Sequence, residues 1–185
     1  MNRAKKEALK HPENRKPPEL NIVLQDTPEK FRPMAEEILP PFIALLRRLC
    51  ALEEEMYARD CKLRASRPGG IYSTVAHPDS PALWQEYKDR YHALLDPHCT
   101  EKFLSERRNC CQSMGDPADF SSLNRGGTVE FTMKSKAKAS VTVLEGMFRH
   151  TDYRFDLKPA DGEWKIDKAA YRYMGDTKWH TEHSM

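Results

Sequence analysis

The sequence has no uninterrupted apolar stretch approaching the ~18 residues that a membrane-spanning helix requires. It opens Met1-Asn2-Arg3-Ala4-Lys5-Lys6 with no apolar segment behind the basic residues, so no secretory leader is expected. Glycine is scarce, and its two pairs, Gly69-Gly70 and Gly126-Gly127, lack the spacing of a phosphate-cradling loop. The 5 cysteines are odd in number and show no framework spacing, which points to reduced thiols and a cytoplasmic protein. Excess charge is also missing. With 30 Lys and Arg against 28 Asp and Glu, the formal net charge is +2, and strong nucleic-acid binding is not indicated. The small surplus sits at the start, where residues 1–20 hold six basic and three acidic side chains, leaving the remainder near −1. That stretch carries Pro12, Pro17 and Pro18 and too few apolar groups to offset its ordering entropy. Residues 1–26 therefore read as a flexible basic tail, and residues 27–180 as a single domain.

What the chain does have is alternation. Val129, Phe131 and Met133 alternate with polar residues, as do Ala139, Val141 and Val143, then Tyr153, Phe155 and Leu157, then Trp164 and Ile166. Period two places one set on a buried face and the other toward water. Asp161-Gly162 between the last two runs is a hairpin signal. A one-sided sheet needs a cover, and the preceding sequence supplies helices. Thr27-Pro28-Glu29 reads as a helix start that Pro33 and Pro40-Pro41 cut short. Phe42, Leu45, Leu46, Leu49, Leu52 and Met56 then predict a helix from about Pro41 to Ala65. Ile71–Val75 reads as a short strand or ordered loop. Asp79-Ser80-Pro81 begins another helix, ended by Asp96-Pro97, and Thr100 caps a further one to about Cys111. A loop runs from Gly115 to Gly127. Residues from Asp176 add an edge segment around Trp179 and then fray. Helices first and antiparallel sheet last give an α+β class.

Several helices, a hairpin, and the ending Tyr153-Arg154-Phe155-Asp156-Leu157-Lys158 … Asp161-Gly162-Glu163-Trp164-Lys165-Ile166-Asp167 resemble a nuclear transport factor 2-like domain. That resemblance implies a bent antiparallel sheet wrapped around helices as a cone with a cavity. A narrower resemblance is to the bacterial immunity proteins of this fold, which neutralise toxins of polymorphic and type VI secretion systems. It runs over roughly residues 35–180, through Leu52-Glu53-Glu54-Glu55-Met56-Tyr57, Tyr91, Asp96-Pro97-His98-Cys99-Thr100-Glu101-Lys102, Asp116-Pro117-Ala118-Asp119-Phe120, and Lys134 to Val141. In the loop, Ala118 and Asp119 depart from the Pro-Pro-Glu-Tyr-like element common in the family, and the long helix lacks a Trp before its glutamates. The resemblance implies a non-enzymatic inhibitor that needs no cofactor. Its partner would be a cognate toxin domain, such as a nuclease or ADP-ribosyltransferase acting in the cytoplasm. Neither membrane nor direct nucleic-acid binding is expected, and the chain would be a monomer or homodimer.

Within this frame the toxin-contact candidates are Glu53, Glu54, Asp60, Glu130, Asp156 and Trp179. The acidic run of α-helical residues could meet a basic toxin surface or form a solvated flank, and both readings stand open. Trp179 could be an exposed anchor, but reads better as a lid over the cone. The alternative is a small-molecule isomerase or dehydratase, or a ligand-binding module. For catalysis Asp60, Tyr87, Tyr91, His92 and Asp167 are available, yet Tyr87 and Tyr91 beside Trp84 are better explained as core aromatics. His92, His98, Cys99, Cys110 and Cys111 are ligand types without metal-site spacing, and His180 and His183 fall in the tail expected to fray.

Overall fold

The computed structural model describes residues 18–69, 74–108, 111, 113–146 and 150–185. The alternating runs form a sheet of six strands, β1 Asn21–Val23, β2 Thr128–Ser135, β3 Lys138–Leu144, β4 Thr151–Ala160, β5 Glu163–Tyr173 and β6 His180–Glu182, in that spatial order. Every pairing is antiparallel except β1 with β2, which is parallel. Asp161 and Gly162, with φ of 55° and 80°, join β4 to β5 in a two-residue turn. The helices are α1 Pro33–Ala65, α2 Ser80–Leu95 and α3 Glu101–Glu106. This is the α+β architecture of a curved sheet closed over helices.

The inward set is the one that period two selects. Val129, Phe131, Met133, Ala139, Val141, Val143, Phe155 and Leu157 are almost completely buried. They meet the α1 stripe of Phe42, Leu45, Leu46, Leu49, Leu52 and Met56. Phe42 and Phe155 pack edge to face with centroids 5.2 Å apart. Each such buried side chain contributes roughly 1.5–3 kcal/mol. Leu83, Tyr87, Tyr91 and Leu95 bury the inner side of α2. On the exposed seam between α1 and α2, Arg90 forks onto Glu55 at 2.7 Å and Arg59 onto Glu86 at 2.5 and 2.6 Å.

Five expectations need correction. α1 does not start near Pro41; it starts at Pro33 and runs straight through Pro40 and Pro41. The two lost amide donors are tolerated because this half of the helix buries Ala35, Ile38, Leu39, Phe42 and Ile43 while both prolines face outward. The short helix expected at Thr27-Pro28-Glu29 is a single turn, Glu29–Phe31, and the Thr27 side chain does not cap it. Its hydroxyl donates to Phe131 O at 2.7 Å and accepts from Met133 N at 3.2 Å, tying the entry of α1 to β2. The presumed tail contributes β1, so the flexible reading fails for residues 21–23, while residues 1–17 lie outside the described residues. The helix after Thr100 stops at Glu106, although Thr100 does cap it by accepting from Phe103 N. The C-terminus does not fray. His183 O accepts from Arg108 N, Ser184 O accepts from Cys111 N, and Met185 is buried. Of the 71–75 segment, residues 71–73 fall outside the described residues, and Thr74 and Val75 form no strand.

Candidate functional site

The open questions are whether the cone is hollow and what its outside offers. The middle of the interior is filled. Phe120, Phe131, Phe155, Leu46, Leu49, Met56, Leu95 and Leu123 are each less than 2% exposed. Phe120 belongs to the loop before β2, where it takes a left-handed backbone (φ 62°) and packs its ring edge to face on Tyr153 and obliquely on Phe155, with centroids 5.0 and 5.9 Å away. Two buried carboxylates hold this loop down. Glu53 accepts from Gly115 N at 2.8 Å and Asp119 N at 3.0 Å. Glu145 accepts from Ser122 N at 3.2 Å and from the Ser122 hydroxyl at 2.9 Å, with the Ser121 hydroxyl at 3.5 Å. Asp119 in turn accepts from the Tyr153 hydroxyl at 2.5 Å. Gly127 lets the chain turn back over Ser122, since a Cβ there would stand 2.7 Å from the Ser122 side chain.

These bonds reassign two of the expected contact residues. Glu53 and Asp60 are 3% and 2% exposed, so neither can reach a partner. Both fall on the buried stripe of α1, Asp60 with Arg64 Nε 2.6 Å from its carboxylate. The acidic run is thus split: Glu54 and Glu55 face solvent, Glu55 paired with Arg90, while Glu53 is structural. Trp179 is not a lid. It lies on the outer face of the sheet, where the guanidiniums of Arg154 and Arg172 each approach to 4.6 Å from its ring centroid. Arg172 also bonds Asp152 at 3.0 Å. Glu130 and Asp156 share that outer face, Asp156 paired with Lys138 at 2.8 Å.

The candidate catalytic residues are not gathered at one place. Tyr87 and Tyr91 pack edge to face at 5.9 Å, with Trp84 6.1 Å from Tyr87. Asp167 is buried beside Lys158 Nζ at 2.8 Å and Thr100 Oγ1 at 3.4 Å. Burial, followed by the Arg107 charge, lowers the His92 pKa and favours the neutral ring. His180 stacks on Tyr171 in β5 rather than lying in a loose tail. Among the described residues no three potential ligands converge on a metal position. Two recesses remain. One of about 270 Å³ lies between α1 and the inner face of β4 and β5, among Ile38, Phe42, Leu45, His98, Leu157 and Trp164. The other is an apolar groove of about 790 Å³ between β1 and the start of α1, lined by Leu20, Ile22, Leu24, Leu39 and Ile43. At its rim Arg32 and Arg47 donate to the protein's own Thr27 O and Leu123 O.

The thiols follow the same pattern of burial. Cys50 is pushed up to about 12 by burial and then by the Glu54 charge, and Cys99 to about 12 by burial and then by Asp96. Cys61 is exposed. Iodoacetamide at pH 8 is expected to alkylate Cys61 in the folded protein and to spare Cys50 and Cys99 until denaturant is added. Peptide mass spectrometry reads this directly, and rapid native labelling of Cys99 would contradict the packing described.

The family model for the NTF2 fold immunity protein matches residues 79–183. The chain belongs to that family. No curated protein and no solved structure matches it. Membership in the NTF2 fold immunity family carries a toxin-neutralising role in general terms, and with it a cognate toxin as binding partner. The matched stretch begins at α2, so β1 and α1 precede it although they supply much of the core. Among the described residues, no helix is long and apolar enough to cross a membrane.

Two structural carboxylates escaped the sequence reading, yet each had a signal. Glu53 sits four residues after Leu49 and three before Met56, in register with the apolar stripe. Glu145 continues the inward parity of Ala139, Val141 and Val143 beyond the end of β3. A carboxylate in a core register marks a buried strap rather than a surface contact.

Proposed function

We propose that this protein acts in the cytoplasm as the antidote to one antibacterial toxin domain, delivered by a type VI or related polymorphic-toxin system. It would bind the toxin and occlude its active site or substrate path without catalysing a reaction. Family membership together with a core plugged by Phe120 supports this reading, because Tyr87 and Tyr91 pack on each other and Asp60 and Asp167 are paired with Arg64 and Lys158. What remains for recognition is the outside. Trp179 is the aromatic candidate there, and of the expected acids Glu54 and Glu130 stay accessible while Asp156 is held by Lys138. A nuclease or ADP-ribosyltransferase is the toxin class that best suits a cytoplasmic antidote.

The test is co-expression with the toxin domain encoded by the neighbouring gene. Restored growth and a complex that survives size-exclusion chromatography are expected. Continued killing with no complex would overturn the proposal.

A further inference from the structure

The geometry points to the outer face of the sheet as the toxin-docking surface, with an acidic loop of the toxin as its occupant. This inference rests on the immunity reading above. On this face a hollow of about 390 Å³ is bordered by Thr132, Lys134, Lys138, Ser140, Arg154 and Asp156. Three cations and one acid therefore surround it, and the acid is already bound to Lys138 at 2.8 Å. Lys134 and Arg154 have no carboxylate partner among the described residues, and neither has Lys168 on the same face of β5. Uncompensated positive charge around a recess selects a negatively charged group.

Arg154 links the hollow to its aromatic neighbour. Its guanidinium rests against Trp179, which stiffens the side chain, and its N–H groups meet no carboxylate among the described residues. Arg172, fixed by Asp152 at 3.0 Å, supports the same indole ring. Aromatic and arginine side chains held rigid around a recess are the composition of an interface centre. The acids proposed for recognition fit differently in this arrangement. Asp156 is a tether for Lys138 rather than a contact for a basic toxin. Nucleic acid is a poorer occupant, because the unpaired cations that the described residues place on this face, Lys134, Arg154 and Lys168, fall short of the roughly 6–10 phosphate contacts of a duplex-binding protein.

The experiment measures binding of the full chain to the neighbouring toxin domain by calorimetry. Lys134→Glu, at a fully solvated position, and Arg154→Glu are each expected to weaken binding at least about tenfold, the cost of placing like charges in contact. Arg154→Lys should retain most of the affinity, and raising the salt should weaken the wild-type complex more than that of Arg154→Glu. Ile22→Asp, in the apolar groove, should bind as wild type. Wild-type affinity in both charge reversals, or loss only in Ile22→Asp, would overturn the outer-face assignment while leaving the immunity reading intact. Failure of the wild type itself to bind would overturn both. Tight binding of a short duplex, lost in Arg154→Glu, would overturn the protein-partner assignment.

Discussion

Replacing Phe120 with alanine is expected to lower the unfolding free energy by about 3–5 kcal/mol. The ring is 1% exposed and lies edge to face on Tyr153 and obliquely on Phe155, so its removal leaves a cavity in the middle of the cone. At this chain length each kcal/mol shifts Tm by roughly 2–4 °C, which makes the loss easy to read by calorimetry. The backbone adds a control. Phe120 holds φ at 62°, a conformation that costs an ordinary residue about 1–2 kcal/mol. Phe120→Gly removes that strain along with the ring, and should therefore be no less stable than Phe120→Ala. A loss below about 1 kcal/mol in the alanine variant, too small for a buried aromatic, would mean that the loop is not the plug described.

The second large effect concerns Glu145. Glu145→Ala should cost roughly 3 kcal/mol, because it leaves Ser122 N and two serine hydroxyls facing a carboxylate that is gone. Glu145→Gln keeps the shape but turns an amide donor toward those donors, and should recover only part of the loss. Native-state hydrogen exchange separates this strap from general destabilisation. The amides of Ser122 and Leu123 should lose protection in both variants before those of β3 and β4 do. Uniform loss across the sheet would argue that Glu145 acts only through the core.

The sheet and the middle of α1 were legible because their signals are local and periodic. Val129 to Ile166 repeats every second residue, and Phe42 to Met56 every third or fourth. Thr100 and Asp161-Gly162 were legible for a similar reason, since a cap and a two-residue turn are decided by a few neighbours. What escaped is decided by distant parts of the chain. Pro40 and Pro41 break an isolated helix, but here Ala35 to Ile43 is held from outside by packing. Asn21-Ile22-Val23 is too short to announce a strand and becomes one only by pairing with Thr128–Glu130. On the functional side, Trp179 was noticed, but its position was misread because Arg154 and Arg172 reach it from two other strands. The hollow beside it is assembled from β2, β3 and β4 and has no linear signature.

The pairing of Asn21 with Thr128 spans 107 positions, which sets a schedule for synthesis. At roughly 5–20 residues per second, the ribosome delivers the partner strand on the order of 5–20 s after β1 emerges. During that interval the oily side of α1 can pack on α2 but lacks the sheet that covers the rest of it. A cell that began translating this antidote only once the toxin was present would be unguarded throughout. The topology favours a standing pool of finished molecules, kept ahead of need.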